Sequence, residues 1–168
     1  EGTFTDVLVF QDIFSRFLYA YAMQSKREVP DKLEYLLKLE ERIPRELNTD
    51  RGTEFTSARF QALVQKYGIK HVFKVGHNDL ATVDRAIGVL KTKLAIISAE
   101  DGTTWLEELQ PTVKAMNRLA NRGLLDNAPY DVEDDDELRF RLRQLNAEMA
   151  HENAQLAEKR RAKLDDKQ

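Results

Sequence analysis

The chain has 168 residues, a length that fits one domain with a small appendage. Its 42% hydrophobic residues suffice for a core, and its 33% charged residues with a net charge of -3 argue against a strongly basic nucleic-acid binder. The charge is unevenly distributed, because residues 131–137 hold six acids and residues 159–163 hold four bases. A locally basic surface is therefore compatible with the acidic net charge. Disulfides and thiolate metal sites are excluded by the absence of cysteine.

No apolar run approaches the roughly 18 residues of a membrane span, and the amino terminus does not have the pattern of a signal peptide. We therefore expect no membrane partner and an intracellular location. The chain opens at Glu1 almost directly into a predicted strand, which indicates a fragment of a longer protein.

The first half of the chain predicts alternating strands and helices. Thr5 to Phe10 and Phe17 to Met23 are rich in β-branched and aromatic residues and predict an antiparallel hairpin. Pro30 and Asp31 open a predicted helix that Pro44 limits, with apolar positions at Leu33, Leu36, Leu37 and Leu39. A short strand (45–49), a helix (57–66) and a further strand (69–75) are predicted next.

The second half predicts helices. The longest periodic segment runs from about Asp79 to Ser98, where one apolar stripe is formed by Val83, Ile87, Leu90, Leu94 and Ile97. Thr103 or Thr104 can cap a helix from Trp105 to about Leu119, with inward positions expected at Leu106, Leu109, Val113 and Met116. A loop is predicted over residues 121–130.

The last segment predicts one continuous helix from about Glu137 to Lys163. Its apolar residues form the narrow seam of a short coiled coil rather than the wide stripe of a core helix: Leu138, Leu142, Leu145, Met149 and Leu156. We expect this helix to project from the core with sparse packing. The alternative is a solvated and partly frayed tail, because short isolated helices are marginal in water.

Two stretches resemble the catalytic core of retroviral and retrotransposon integrases. Asp12 to Phe17 reads Asp-Ile-Phe-Ser-Arg-Phe, like the family's "DxFSRF" phrase, and Thr49 to Phe55 reads Thr-Asp-Arg-Gly-Thr-Glu-Phe, like its "TDxGxEF" phrase. Asn127 to Tyr130 is similar to the phrase that closes the family's catalytic domain. The resemblance covers about Thr5 to Val132 and implies an α/β (α+β) chain with a ribonuclease H-like mixed sheet flanked by helices.

The resemblance also implies a metal site of three carboxylates. Asp50 matches the second catalytic position, and Asp84 matches the third, where the family usually has Glu; 33 residues separate them. The resemblance thus assigns both as catalytic residues and as ligands of Mg²⁺ or Mn²⁺, which prefer oxygen donors. The alternatives are that Asp50 is a turn residue and that Asp84 only favours the helix dipole.

The first carboxylate of the family lies on a strand upstream of the hairpin. Asp12 matches a turn position of the family, and Asp6 lies on the wrong strand for the role. We therefore expect the first strand to be missing and this fragment to be inactive by itself. The loss of that central strand predicts either a gap in the sheet or a non-native pairing of the hairpin with the strand at residues 45–49.

The resemblance further implies contacts with DNA. Lys91 follows Asp84 by two helical turns, about 20° away around the helix, where the family holds element-end DNA with a lysine. Arg85, His77 and Asn78 are the other candidate nucleic-acid contacts, the last two in the loop before the helix. The alternative for Lys91 and Arg85 is ordinary surface charge. His71 is expected on a strand face and not as a metal ligand.

These features predict an integrase catalytic core over residues 1–132, lacking its first strand, and a charged helical tail over residues 133–168. The intact parent would cleave element ends and join them to target DNA by metal-dependent chemistry, as a possible homo-oligomer in the nucleus. The alternative is a decayed or domesticated copy that binds nucleic acid or protein without catalysis.

Overall fold

A computed structural model of the chain describes residues 3–74 and 80–165, with side chains through residue 159. The chain divides into two compact units, of which the first comprises Glu1–Asp12 with Leu18–Met116 and the second Ile13–Phe17 with Asn117–Gln168. The domain boundary predicted between residues 132 and 133, which separates the core from the helical tail, stays a prediction.

The first unit is built from four strands and five helices in the described part of the chain. In order they are β1 (Asp6–Gln11), β2 (Leu18–Met23), α1 (Val29–Leu39), β3 (Glu46–Thr49), α2 (Thr53–Thr56), α3 (Ala58–Lys66), β4 (Lys70–Phe73), α4 (Ala81–Asp101) and α5 (Trp105–Met116). A single 3₁₀ turn (Lys26–Glu28) precedes α1 and is capped by the Ser25 side chain.

The predicted hairpin is confirmed. β1 and β2 pair antiparallel from Asp6 opposite Met23 to Gln11 opposite Leu18. Successive side chains of a strand point to opposite faces, and both faces of this hairpin are covered. Leu8 and Met23 pack into one hydrophobic cluster, whereas Leu18 packs into another.

The sheet is split into two pairs of strands. β3 and β4 pair in parallel, with Glu46 opposite Lys70 and Thr49 opposite Phe73. Among the described residues, the hydrogen-bonded orders are β1-β2 and β3-β4, with no ladder joining β1 to β3. The expected break beside the hairpin is therefore confirmed, and it takes the form of a gap rather than a non-native pairing.

Helices supply the two halves of the core. α1 and α3 bury their apolar faces in one cluster around Phe60, whose side chain is 0% exposed. α4 and α5 bury Leu90, Leu94, Leu109 and Val113 in the other cluster against β2. The apolar stripe predicted on α4 is thus buried at its centre, as expected for a helix that packs along one face.

Several local expectations were wrong. Leu106 was predicted to face inward but is 40% exposed, because the buried face of α5 centres on Leu109, Thr112 and Val113 instead. The loop predicted up to Tyr130 ends earlier, since a helix begins at Pro129. The short helix α2 was not predicted at all.

The second unit combines the hairpin tip with the carboxyl-terminal helices. It contains a 3₁₀ turn (Arg122–Leu124), α6 (Pro129–Asp134) and α7 (Asp136–Asp165). Its core consists of Leu124, Val132, Leu138 and Leu142, with Phe14 of the hairpin tip packed against them. The Arg143 guanidinium lies over the Phe14 ring, 5.7 Å from its centroid.

The continuous helix predicted for the last segment is confirmed, because α7 runs unbroken from Asp136 to Asp165. Among its side chains described through residue 159, only those at the beginning are buried: Leu138 and Leu142 are 6% and 1% exposed, whereas Met149 and Leu156 are 52% and 50% exposed. Helical structure therefore continues past the point at which α7 stops contributing to the core.

Candidate functional site

Asp50 lies at the carboxyl end of β3, where the chain turns toward α2. In α/β sheets this end of a parallel strand is where ligands and reactive groups are held. The Asp50 side chain is exposed, and its Oδ1 accepts a hydrogen bond of 2.9 Å from the Gly52 N–H. The carboxylate is thereby oriented by its own turn while remaining open to solvent.

Gly52 keeps this turn narrow. A Cβ atom at this position would lie 2.8 Å from the Glu54 carboxylate and 3.1 Å from Oδ1 of Asp50. The two acidic side chains thus approach the same point beside the glycine backbone. Lys26 offsets some of this negative charge, because its Nζ lies 3.3 Å from Oε1 of Glu54.

A chain of polar groups lies directly beneath the turn. The Thr49 hydroxyl donates to the backbone carbonyl of Asp50 at 2.8 Å, and the same oxygen lies 2.8 Å from Nε2 of His71 on β4. Nδ1 of His71 lies 3.0 Å from Nε2 of Gln61 on α3. His71 is thus on a strand face, as predicted, and contacts the residue that precedes Asp50.

Aromatic rings surround the His71 imidazole. The Phe60 ring meets it edge-on with centroids 5.2 Å apart, and the Phe73 ring lies 4.4 Å away. Partial burial among these rings lowers the pKa of His71, because burial disfavours the charged imidazolium. The position of His71 on a strand face could be predicted from the sequence, whereas its partners Thr49 and Gln61 could not.

Asp84 lies on the first turn of α4 and is exposed. Its backbone N–H donates to the Leu80 carbonyl at 3.0 Å, so the residue is already inside the helix. A carboxylate in this position interacts favourably with the positive end of the helix dipole. Its role as a metal ligand stays a prediction.

The candidate DNA contacts are divided between α4 and the preceding loop. Lys91 and Arg85 are both exposed on α4. His77 and Asn78 lie outside the described residues, so nothing is added to their prediction.

The donor set suits a hard divalent ion in chemistry but falls short of a full site. Asp50 and Asp84 offer exposed carboxylate oxygens, the ligand type that Mg²⁺ and Mn²⁺ prefer. Within residues 3–74 and 80–165, no three acidic or histidine side chains are grouped as metal ligands.

In the same part of the chain, no helix has the length and apolar character required to cross a membrane.

The chain is similar in sequence to integrase-related proteins. Residues 1–78 match the family model described as the integrase core domain. A transposon-derived protein of Caenorhabditis elegans is 31% identical over 132 residues, covering 77% of this chain and 46% of that protein. The chain thus spans about half the length of the curated relative it matches.

Two solved structures show the same fold. A chain of the simian T-cell lymphotropic virus intasome aligns with a TM-score of 0.69 at 20% identity, over 77% of this chain and 48% of the viral one. The HTLV-2 integrase catalytic core domain, solved with magnesium, aligns with a TM-score of 0.61 at 19% identity, over 76% of this chain and 91% of the viral domain. The fold expected for a ribonuclease H-like core is confirmed.

Proposed function

We propose that the chain, which matches the integrase core domain model over residues 1–78, is an integrase core, and that its Asp50 and Asp84 are two of the carboxylates with which such a core cleaves and joins DNA. The observation that carries this proposal is the position of Asp50, exposed at the carboxyl end of β3 in a turn that orients its carboxylate. The comparisons do not favour the alternative of a decayed, non-catalytic module.

Mg²⁺ or Mn²⁺ is the cofactor of this proposal. When bound, such an ion would activate the attacking oxygen and stabilise charge on a phosphodiester. Asp50 would hold it from the end of β3 and Asp84 from the first turn of α4. The shorter Asp side chain at position 84 reaches less far than Glu, so we expect weak binding from these two residues alone.

The remaining carboxylate, the first of the family's three, would lie on a strand between β1 and β3. The two sheets have no ladder joining them in the described part of the chain. A strand paired with both would merge them into one mixed sheet and bring its own side chains beside the end of β3. Full cleavage and joining activity is therefore proposed only together with that carboxylate, not for Asp50 and Asp84 alone.

The DNA surface of this proposal is on α4. Lys91 would bind a phosphate two turns from Asp84, with Arg85 and the loop residues His77 and Asn78 as further contacts. Element ends and target DNA are the proposed partners, and chromosomal target DNA implies a nuclear location. Because the integrases of the two viral structures occur in an intasome and in dimeric and trimeric forms, we also propose self-association.

Metal binding tests the carboxylate assignment. We expect Asp50→Asn to weaken Mn²⁺ binding, followed by water-proton relaxation, about tenfold, because the variant loses a charged oxygen ligand. Asp101→Asn is the matched control, since it removes the same charge from an exposed residue at the far end of α4, about 26 Å along the helix from Asp84. Equal binding by the two variants would show that Asp50 is only a turn residue.

DNA binding tests the role of Lys91 separately. We expect Lys91→Gln to weaken binding of a DNA duplex and to reduce the slope of log affinity against log salt by about 1, because one phosphate contact is lost. Lys93→Gln on the same helix is the control, since its side chain lies about 200° further around α4. Identical salt slopes for the two variants would remove Lys91 from the DNA surface.

A further inference from the structure

The polar chain beneath Asp50 has only one consistent arrangement of its protons. Nε2 of Gln61 lies 2.7 Å from the Phe55 carbonyl oxygen, which can only accept. The atom at this position must therefore be the amide nitrogen, and its second hydrogen is directed at Nδ1 of His71. Nδ1 of His71 consequently accepts and carries no proton.

The remaining protons follow from that assignment. A neutral imidazole without a proton on Nδ1 carries it on Nε2, which then donates to the Thr49 hydroxyl oxygen. That hydroxyl has a single proton, and it is directed at the Asp50 carbonyl. The direction of donation therefore runs from Gln61 through His71 and Thr49 to Asp50.

The hydrogen-bonded side chains of Gln61, His71 and Thr49 and the sheet together fix the backbone beside Asp50. The Thr49 carbonyl accepts the Lys74 N–H at 2.8 Å, which continues the pairing of β3 with β4 by one residue. The Asp50 carbonyl lies beyond the end of β3 and accepts from the Thr49 side chain instead. His71 sets the orientation of that side chain and in turn is held by α3 through Gln61.

We propose that His71 is a positioning residue, which in its Nε2–H tautomer orients the Thr49 hydroxyl and so fixes the backbone from which the Asp50 carboxylate projects. The hydrogen bonds from Gln61 through His71 to Thr49 connect α3 and β4 to the turn at residues 50–52, and none of them involves the Asp50 carboxylate itself. The consequence for metal binding rests on the proposed function, whereas the tautomer and its effect on the turn do not.

Nitrogen-15 spectra of the imidazole test the tautomer directly. At a pH where His71 is neutral, the protein should show a protonated Nε2 and an unprotonated Nδ1. In Gln61→Glu the donor is replaced by an acceptor, so the proton should move to Nδ1. A wild-type ring with the proton on Nδ1, or with a mixture of tautomers, overturns the proposal.

A pair of substitutions at Thr49 tests the transmission to the turn. Thr49→Val keeps the branched shape and loses the hydroxyl, whereas Thr49→Ser keeps the hydroxyl. We expect Thr49→Val to shift the backbone amide signals of Arg51 and Gly52 and to weaken Mn²⁺ binding about three- to tenfold, as for the loss of one hydrogen bond. Thr49→Ser should restore both.

The outcomes separate the two proposals. If the wild type binds no Mn²⁺ but Thr49→Val alone moves the turn signals, the positioning role stands and the metal assignment of Asp50 fails. If Thr49→Ser shifts the turn signals as far as Thr49→Val does, the hydroxyl transmits nothing and the positioning role of His71 fails. The serine variant also controls for the tolerance of the strand to a substitution at this site.

Discussion

Phe60→Ala should lower the free energy of unfolding by about 3–5 kcal/mol, the cost of removing a buried aromatic ring and leaving a cavity. The Phe60 side chain is 0% exposed at the centre of the cluster formed by α1, α3 and one face of the hairpin. Its ring also contacts Phe55 edge-on with centroids 5.4 Å apart. Several neighbours thus lose contacts at once.

Urea unfolding followed by far-ultraviolet circular dichroism measures this effect. Leu39→Ala is the control, because Leu39 is on α1 but 58% exposed, and a surface change of this kind costs within about 0.5 kcal/mol. A loss below about 1 kcal/mol for Phe60→Ala would mean that α3 is not anchored as the structure shows. Since Phe60 also packs on His71, the variant should disturb the Asp50 turn as well.

The sequence was sufficient to predict elements with a strong internal period. The β-branched and aromatic residues of β1 and β2 were enough to predict the hairpin, and the apolar stripe of α4 repeats often enough to indicate which face of the helix is buried. Ser57 was correctly identified as the start of a helix, and its hydroxyl accepts from the Phe60 N–H as a cap. These signals are local, so one sequence is enough to read them.

Other features depended on partners that spacing does not reveal. α2 has four residues, too few for a period, and it has no side-chain cap hydrogen bond. Leu106 lies on the first turn of α5. Whether a residue in that turn is buried depends on the angle at which the helix packs, which the sequence does not give. Apolar identity alone could not settle that question for the end of a helix.

The polar chain beneath Asp50 was hidden for the same reason. Thr49 and His71 become neighbours only through the register of β3 and β4, in which Thr49 is opposite Phe73 and His71 is opposite Leu47. Residues two apart on a strand share a face, so the hydroxyl and the imidazole meet diagonally. Gln61 contacts His71 from α3. No pattern along the sequence could pair a residue of that helix with a histidine on β4.

Asp50 and Asp84 illustrate what the resemblance contributed. Neither carboxylate is distinguished by composition or period, since an Asp in a glycine turn and an Asp in a helix's first turn are both common. The family phrases selected them, and the structure adds that both are exposed at element ends. The metal experiment therefore tests an assignment whose specificity comes from the motif.

The carboxyl-terminal helix gives the second large effect. Leu142→Ala should destabilise the second unit by about 2–5 kcal/mol, because Leu142 is 1% exposed and packs with Leu124, Val132 and Leu138. Leu156→Ala is the matched control on the same helix. Its side chain is 50% exposed, so the same chemical change should cost within about 0.5 kcal/mol.

Hydrogen exchange of the backbone amides measures both the effect and its extent along α7. In the unsubstituted protein, protection should be confined to about residues 138–149, where Leu138 and Leu142 anchor the helix. The later turns should exchange rapidly, because a helix without tertiary contacts is marginal in water. Leu142→Ala should accelerate exchange in the first turns and in α6, and Leu156→Ala should change neither.

Two results would contradict this description of α7. Fast exchange throughout residues 137–163 would mean that the first turns are not docked and that the tail is frayed along its length. Protection extending to residues near Leu156 would mean that the exposed seam is covered in solution, and its loss on dilution would identify self-association as the cause. The expected boundary near Met149 follows from burial, since beyond Leu142 no described side chain of α7 contributes to the buried cluster.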